Sequence, residues 1–149
     1  MGPGQGLIVY FDSSALASLF LPDEPSHPLA LEFWRSASRA VLGRLAYPEV
    51  RAAFAAAVHV GRLPRNSAQA ATRRLDRLFE AAYVVDVSRA IARHAGDLAE
   101  RHLLRGFDAV HLATALSLEV DGLVFATHDG RLNRAAVREG LSVPAQPSE

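Results

Sequence analysis

The stretch Leu7-Ile8-Val9-Tyr10-Phe11-Asp12 joins five consecutive apolar residues to an acid. A short run without polar alternation is typical of a strand buried on both faces, as in a parallel sheet. Ser13 or Ser14 is placed to cap a helix through about Leu21, which Pro22 would end. A buried strand that passes directly into a helix predicts an α/β fold.

The rest of the chain continues this alternation of strand-like and helix-like segments. Apolar spacing, capping residues and Gly or Pro boundaries predict helices at 28–38, 46–60, 67–82, from Ser88 to before Gly106, 108–120 and 131–139. Strands are predicted at 40–42, 83–87 and 123–127, with a final edge strand at 141–143. We therefore expect a three-layer α/β/α sandwich with a narrow, mostly parallel sheet. Residues 1–6 are predicted to be a flexible lead, 7–143 a single domain and 144–149 a tail.

The composition narrows the classes of function. The chain has 149 residues, no cysteine and equal numbers of basic and acidic residues, 16 of each. The lack of cysteine excludes disulfides, thiolate zinc sites and cysteine nucleophiles. Every basic residue apart from histidine is arginine, so no lysine can act as a base, a Schiff-base former or a phosphate ligand. With no recognisable secretory signal or membrane-length apolar run, we expect a soluble cytoplasmic protein.

Four acids lie where predicted strands or loops pass into helices. Asp12 ends the first strand, Glu49 opens the helix at 46–60, Asp108 starts the helix at 108–120, and Asp129 follows the last main strand. The carboxyl ends of parallel strands face one shared crevice. Carboxylates gathered there repel one another unless a cation joins them, and oxygen ligands suit Mg²⁺ or Mn²⁺. Such ions activate water and stabilise the leaving oxygen when a phosphodiester is cut.

Four segments carry a specific resemblance. They are Val9-Tyr10-Phe11-Asp12-Ser13-Ser14-Ala15-Leu16, Tyr47-Pro48-Glu49-Val50, Gly106-Phe107-Asp108-Ala109-Val110-His111-Leu112-Ala113-Thr114-Ala115 and Ala126-Thr127-His128-Asp129-Gly130-Arg131-Leu132. In order and spacing, from near Leu7 to about Val143, the chain resembles the PIN domain nucleases, in particular the VapC-type toxins of bacterial toxin–antitoxin pairs.

The resemblance implies an α/β/α sandwich and an endoribonuclease that depends on Mg²⁺ or Mn²⁺. It also implies a small antitoxin protein as partner and a homodimer. Mapped by motif, Asp12, Glu49, Asp108 and Asp129 take the four acidic, metal-binding positions. Thr127 matches a hydroxyl position that could hold a carboxylate or a water. The chain departs from the family before Glu49, where Gly43-Arg44 stands in place of a frequent Ser or Thr; this affects a minor supporting contact.

Each acid also has a purely structural interpretation. Asp12 and Asp108 could be helix N-caps, Glu49 would favour the helix dipole regardless of function, and Asp129 before Gly130 resembles an ordinary turn. The presence of all four segments in order favours the metal role for each acid.

The histidines and arginines near these motifs are open to both interpretations. His111 lies on the same helix face as Asp108 and could be a ligand or proton donor, but we favour a buried histidine that braces its neighbour. His128 is expected to be an exposed loop residue. Four arginines near the motif ends could contact phosphate, with surface solvation as the alternative for each: Arg44, Arg51, Arg105 and Arg131.

Three other functions are alternatives to a metal-dependent ribonuclease. A receiver domain or a haloacid-dehalogenase-like phosphatase would need a lysine, and the phosphatase also needs an acid at position 14, which is Ser14. A non-catalytic PIN-like binding module would be marked by the loss of an acid, and all four are present. A PIN-type nuclease acting on DNA stays open, because the metal chemistry does not depend on the sugar.

Overall fold

The computed structural model describes residues 6–144 of the chain. Within them, strands and helices are β1 Leu7–Phe11, α1 Ser13–Phe20, α2 His27–Ser36, β2 Ala37–Gly43, α3 Ala46–His59, α4 Arg65–Ala81, β3 Tyr83–Val85, α5 Arg89–His102, α6 Gly106–Ser117, β4 Val124–Ala126 and α7 Gly130–Arg138. No helix in this part of the chain combines the length and the apolar character needed to cross a membrane. The predicted lead and tail lie outside the described residues except for Gly6 and Pro144, so that division stays a prediction.

The four strands form one parallel sheet in the order β3-β2-β1-β4. β1 is central, and Phe11 at its end pairs with Leu42 on one side and Ala126 on the other. The predicted narrow parallel sheet is confirmed. Because the four strands run in the same direction, the segments that follow β1 and β4 meet at the same end of the sheet.

Two hydrophobic cores lie on opposite faces of the sheet, as expected when successive side chains of a strand alternate. Val9 and Phe11 point into the core that includes α1, α3 and α4. Tyr10 points into the second core, which includes α5, α6 and α7. The three-layer prediction is therefore correct, and β1 is covered on both sides, which explains its unbroken apolar run.

Two local predictions are wrong. The predicted strand at 141–143 is only an isolated bridge between Val124 and Ser142, supported by a bond from the Phe125 N–H to the Ser142 carbonyl of 2.8 Å. The segment pairs at one residue only, and Pro144 has no N–H to donate to a longer ladder. The capping residue of α1 is Asp12 and not Ser13 or Ser14, because the Asp12 carboxylate accepts from the Ala15 N–H.

The end of α5 is tied to the residue that follows α7 through Glu139. Its side chain is 17% exposed, and it accepts bonds of 2.6 Å from both Arg101 Nη1 and His102 Nε2. The bond with His102 is the largest effect that holds the pKa of Glu139 below its usual value. A lowered pKa in the folded state stabilises folding above the unfolded pKa of about 4.3, and the gain disappears as pH falls through the folded value.

We therefore expect Glu139→Gln to lower the free energy of unfolding near neutral pH by about 0.5–1 kcal/mol, the range of partly exposed ion pairs. The difference from the wild type should shrink as pH falls below about 4.3, where Glu139 of the unfolded chain takes up a proton, and further through the lower pKa of the folded state. Urea denaturation at both pH values checks this. A deficit that stays constant down to acidic pH would show that packing, and not charge, accounts for the effect.

Candidate active site

The four predicted acids line one cleft at the carboxyl end of the sheet. The cleft has a volume of about 250 Å³ and is lined by Asp12, Ser13, Ser14, Glu49, Arg105, Phe107, Asp108 and Asp129. Asp12 directly follows β1, and Asp129 lies in the loop after β4. Glu49 and Asp108 stand in the first turns of α3 and α6. The structure therefore brings together all four acids that the sequence singled out.

Asp12 is the most buried of the four, with 2% of its surface exposed. Its Oδ1 accepts from the Ala15 N–H at 2.9 Å and from the Ser14 hydroxyl at 2.8 Å, while Oδ2 accepts from the Thr127 hydroxyl at 2.5 Å. Burial raises the pKa of Asp12, and the nearby His111 and these hydrogen bonds offset only part of that effect. The ionised form of Asp12 is thus destabilised by its poorly hydrated environment.

Thr127 links the end of β4 to two of the acids. Besides donating to Asp12, its hydroxyl oxygen accepts from the Asp129 N–H at 3.0 Å. Thr127 is itself 4% exposed, so this junction is shielded from water. It fixes the Asp12 carboxylate relative to the start of α7, which is the kind of supporting contact that the sequence motif predicts.

Glu49 is held at both carboxylate oxygens. Oε2 accepts from the Ser13 hydroxyl at 3.0 Å, and Oε1 is 2.7 Å from His111 Nε2. Burial alone would raise the pKa of Glu49, but the interaction with His111 and the bond from Ser13 outweigh burial and hold the pKa below its usual value. Glu49 is therefore ionised around neutral pH.

Asp108 and Asp129 share one arginine. Arg105 Nε donates to Asp108 Oδ2 at 2.9 Å, and its Nη2 reaches Asp129 Oδ2 at 3.4 Å. The bond to Asp108 is the main cause of a raised pKa of Arg105. Asp129 also caps α7 by accepting from the Leu132 N–H. The structural interpretation of Asp129 as a turn or cap residue thus holds together with its place in the cleft.

The predictions for the two histidines near the acids are confirmed only in part. His111 is 1% exposed, and both of its ring nitrogens have hydrogen-bond partners. Its partner among the acids is Glu49, 62 residues away, and not its helix neighbour Asp108. The prediction that His128 is exposed is wrong, because its Nε2 is buried without a hydrogen-bond partner among the described residues. Burial lowers the pKa of His128.

Of the four candidate arginines, Arg105 is the one that lines the cleft. Arg44 pairs with Asp86, Arg51 donates to the Tyr47 hydroxyl and Arg131 donates to the Leu103 carbonyl. No local pattern indicates that Arg105 bridges two acids, since one of them lies 24 residues further along the chain. The roles of Ser13 and Ser14 as donors to Glu49 and Asp12 were also missed, although their hydroxyls directly follow the first strand.

The charge of the cleft is unbalanced. Among its lining residues, four carboxylates stand against the one guanidinium of Arg105, which leaves a formal charge of −3. The oxygen donors are of the kind that Mg²⁺ and Mn²⁺ prefer. Within residues 6–144, no three Asp, Glu or His side chains stand together as a ready-formed ligand group.

Comparisons with known proteins agree with the fold. Residues 9–138 match the PIN domain family. The chain is 44% identical over 140 residues to Ribonuclease VapC45 of Mycobacterium tuberculosis (strain CDC 1551 / Oshkosh), a match that covers 93% of this chain and 96% of that protein. The crystal structure of Mycobacterium tuberculosis VapC20, a sarcin-ricin loop cleaving toxin, superposes with a TM-score of 0.68 at 20% identity and covers 85% of this chain and 94% of that one. VapBC-1 from nontypeable Haemophilus influenzae gives a TM-score of 0.61 at 19% identity, with 93% and 97% covered.

Proposed function

Because the chain belongs to the PIN domain family, we propose that it is a Mg²⁺- or Mn²⁺-dependent endoribonuclease, the toxin of a type II toxin–antitoxin pair. The observation that carries the proposal is the cleft in which four carboxylates from distant parts of the chain meet one arginine. The relative that is 44% identical to this chain is named a ribonuclease, which supports RNA as the substrate.

The excess negative charge supports a requirement for a cation before the protein can act. A phosphodiester is itself an anion, so an ion-free cleft with a formal charge of −3 would repel it. A divalent ion, when bound, would offset this repulsion and would supply charge to polarise the phosphate and to activate a water. Asp12, Glu49 and Asp108 are proposed to hold the ion, and Asp129 to contact it directly or through water.

The chain's own residues then have distinct tasks. Ser14, Thr127 and the Ala15 N–H orient the Asp12 carboxylate, and Ser13 and His111 orient that of Glu49. Asp108 and Asp129 hold Arg105 at the rim, where its exposed guanidinium can bind a phosphate oxygen. A water loses a proton as its oxygen bonds to phosphorus, the bond from phosphorus to the 3′ oxygen breaks, and that oxygen takes up a proton. The products carry 5′-phosphate and 3′-hydroxyl ends.

The proposed partners follow from the family and not from the cleft. VapBC-1 of Haemophilus influenzae and a structure described as a toxin–antitoxin complex from Klebsiella pneumoniae share this fold. We propose that a small antitoxin protein likewise binds this chain and covers its cleft, that the toxin is a homodimer, and that it acts in the cytoplasm on cellular RNA.

The test is to map new 5′ ends in total cellular RNA after treatment with the purified protein. The expected result is a set of discrete ends that carry 5′-phosphate, appear with Mn²⁺ and disappear with a chelator. Asp12→Asn is the control variant and should give none of them. Cleavage of single-stranded DNA and not of RNA would replace RNA by DNA as the substrate, and no cleavage of either by a folded protein that binds Mn²⁺ would contradict a nuclease.

A further inference from the structure

A buried line of hydrogen bonds connects the central strand to the cleft. The Tyr10 hydroxyl is 2.7 Å from His111 Nδ1, and His111 Nε2 is 2.7 Å from Glu49 Oε1. Tyr10 is 0% and His111 1% exposed. The line runs from β1 through α6 to α3, so it joins three elements that are distant in sequence.

When His111 is neutral, the chemistry of the three groups sets the direction of both bonds. An ionised carboxylate only accepts, so His111 donates from Nε2–H to Glu49. In the neutral imidazole, Nδ1 is then the acceptor, and it receives the proton of the Tyr10 hydroxyl. The tautomer of His111 and the rotation of its ring are thus set from the side that faces away from the cleft.

Packing removes the remaining freedom of Tyr10. Its ring stacks on Phe125 of β4, with centroids 5.4 Å apart and an angle of 4° between the planes. On the other side, Gly43 at the end of β2 leaves the room for the hydroxyl, because a Cβ there would lie 2.5 Å from it. The absence of a side chain at Gly43 therefore gives the tyrosine hydroxyl the room that it occupies.

We propose that His111 and Tyr10 are positioning residues that hold the Glu49 carboxylate in the orientation needed for a divalent cation. The proposal rests on the proposed metal-dependent function. Glu49 lines the cleft, and its bonds to His111 and Ser13 leave lone pairs on both oxygens for an ion. Partners of a metal ligand that orient it from behind typically change metal affinity about 10–100-fold when they are removed.

The experiment compares two substitutions that differ in where they place an amide nitrogen. His111→Gln extends about as far as Nε2 and can still donate to Glu49, whereas His111→Asn reaches only about as far as Nδ1. Mn²⁺ binding to the otherwise metal-free proteins is measured by electron paramagnetic resonance titration, with no RNA present. We expect His111→Asn to weaken Mn²⁺ binding about 10–100-fold and His111→Gln to restore most of the affinity.

Tyr10→Phe is the second probe, because it removes one oxygen and keeps the stacked ring. We expect it to weaken Mn²⁺ binding less than His111→Asn does, since His111 still donates but its ring is no longer fixed. Leu75→Ala is the matched control for stability: Leu75 is fully buried in the core on the opposite face of the sheet. It should lower the melting temperature and leave Mn²⁺ affinity unchanged.

The outcomes separate this proposal from the function on which it rests. If the wild type binds Mn²⁺ and cleaves RNA, but His111→Asn and Tyr10→Phe bind Mn²⁺ as the wild type does, the positioning role is overturned and the proposed function stands. Equal losses in His111→Gln and His111→Asn would also overturn it, since donation to Glu49 would then not matter. A wild type that neither binds Mn²⁺ nor cleaves RNA would contradict the proposed function itself.

Discussion

Asp12→Asn is expected to lower the rate of RNA cleavage by more than about 100-fold, beyond the roughly 10–100-fold typical of residues that only support a ligand. Asp12 is the most buried acid of the cleft, so no other carboxylate can take its place without a rearrangement of the core. The measurement is single-turnover cleavage of a mapped RNA at saturating Mn²⁺, with the wild type at equal concentration.

The same substitution should not harm the fold of the metal-free protein. Burial raises the pKa of Asp12 in the folded state, and a raised pKa gives a stabilising contribution at low pH that is lost as pH rises through the folded value. At about pH 7 the ionised carboxylate therefore costs folding free energy, and Asn has no such cost. We expect a melting temperature in chelator equal to or above that of the wild type.

Geometry supports this expectation and supplies the control. Both Ala15 N–H and the Ser14 hydroxyl donate to Oδ1, which Asn keeps, and the new amide can donate to Thr127. Asp12→Ala loses the cap of α1 as well, and should be less stable than Asp12→Asn by about 1 kcal/mol. A metal-free Asp12→Asn that melts well below the wild type would refute the argument from burial, and retained cleavage would remove Asp12 from the site.

The fold was predictable because the strongest signals were local. An unbroken apolar run such as Leu7–Phe11 needs cover on both faces, and the structure provides a core on each side of β1. Prediction failed for the segment at 141–143. It is apolar enough for a strand, yet it makes only one bridge to the sheet. Periodicity reports the burial of side chains, and it does not report how many backbone bonds a short edge segment forms.

The acids of the site were predictable for a related reason, since parallel strands end at the same side of a sheet and gather the residues that follow them. The contacts between these acids and their partners were not. Glu49 and His111 are 62 residues apart, and Tyr10 and His111 are 101 apart. Their meeting depends on which face of β1 Tyr10 occupies and on how α6 packs against that face. These are properties of tertiary packing, which no local pattern encodes.

Gly43→Ala is the substitution that tests this packing most directly. The added Cβ would lie 2.5 Å from the Tyr10 hydroxyl, which ends a rigid, fully buried ring and so cannot move aside cheaply. Overpacking of a core costs about 1–3 kcal/mol, and we expect a loss near the upper end, measured by urea denaturation. Gly96→Ala in α5 is the control: no atom lies within 4 Å of its Cβ, so helix propensity alone should make it neutral or stabilising by up to about 1 kcal/mol.

A double substitution then shows whether the tyrosine hydroxyl is the cause. Tyr10→Phe alone leaves His111 Nδ1 buried without its partner and should cost about 1–3 kcal/mol. Once the hydroxyl is gone, the nearest atoms to an alanine Cβ at position 43 are the Tyr10 Cζ position and His111 Nδ1, both at 3.6 Å, which is ordinary van der Waals contact. Gly43→Ala combined with Tyr10→Phe should therefore be about as stable as Tyr10→Phe alone. The free-energy cost of the double substitution should be smaller than the sum of the two single costs by about 1–3 kcal/mol. Simple additivity would mean that Gly43 is required for its backbone and not for the room it gives Tyr10.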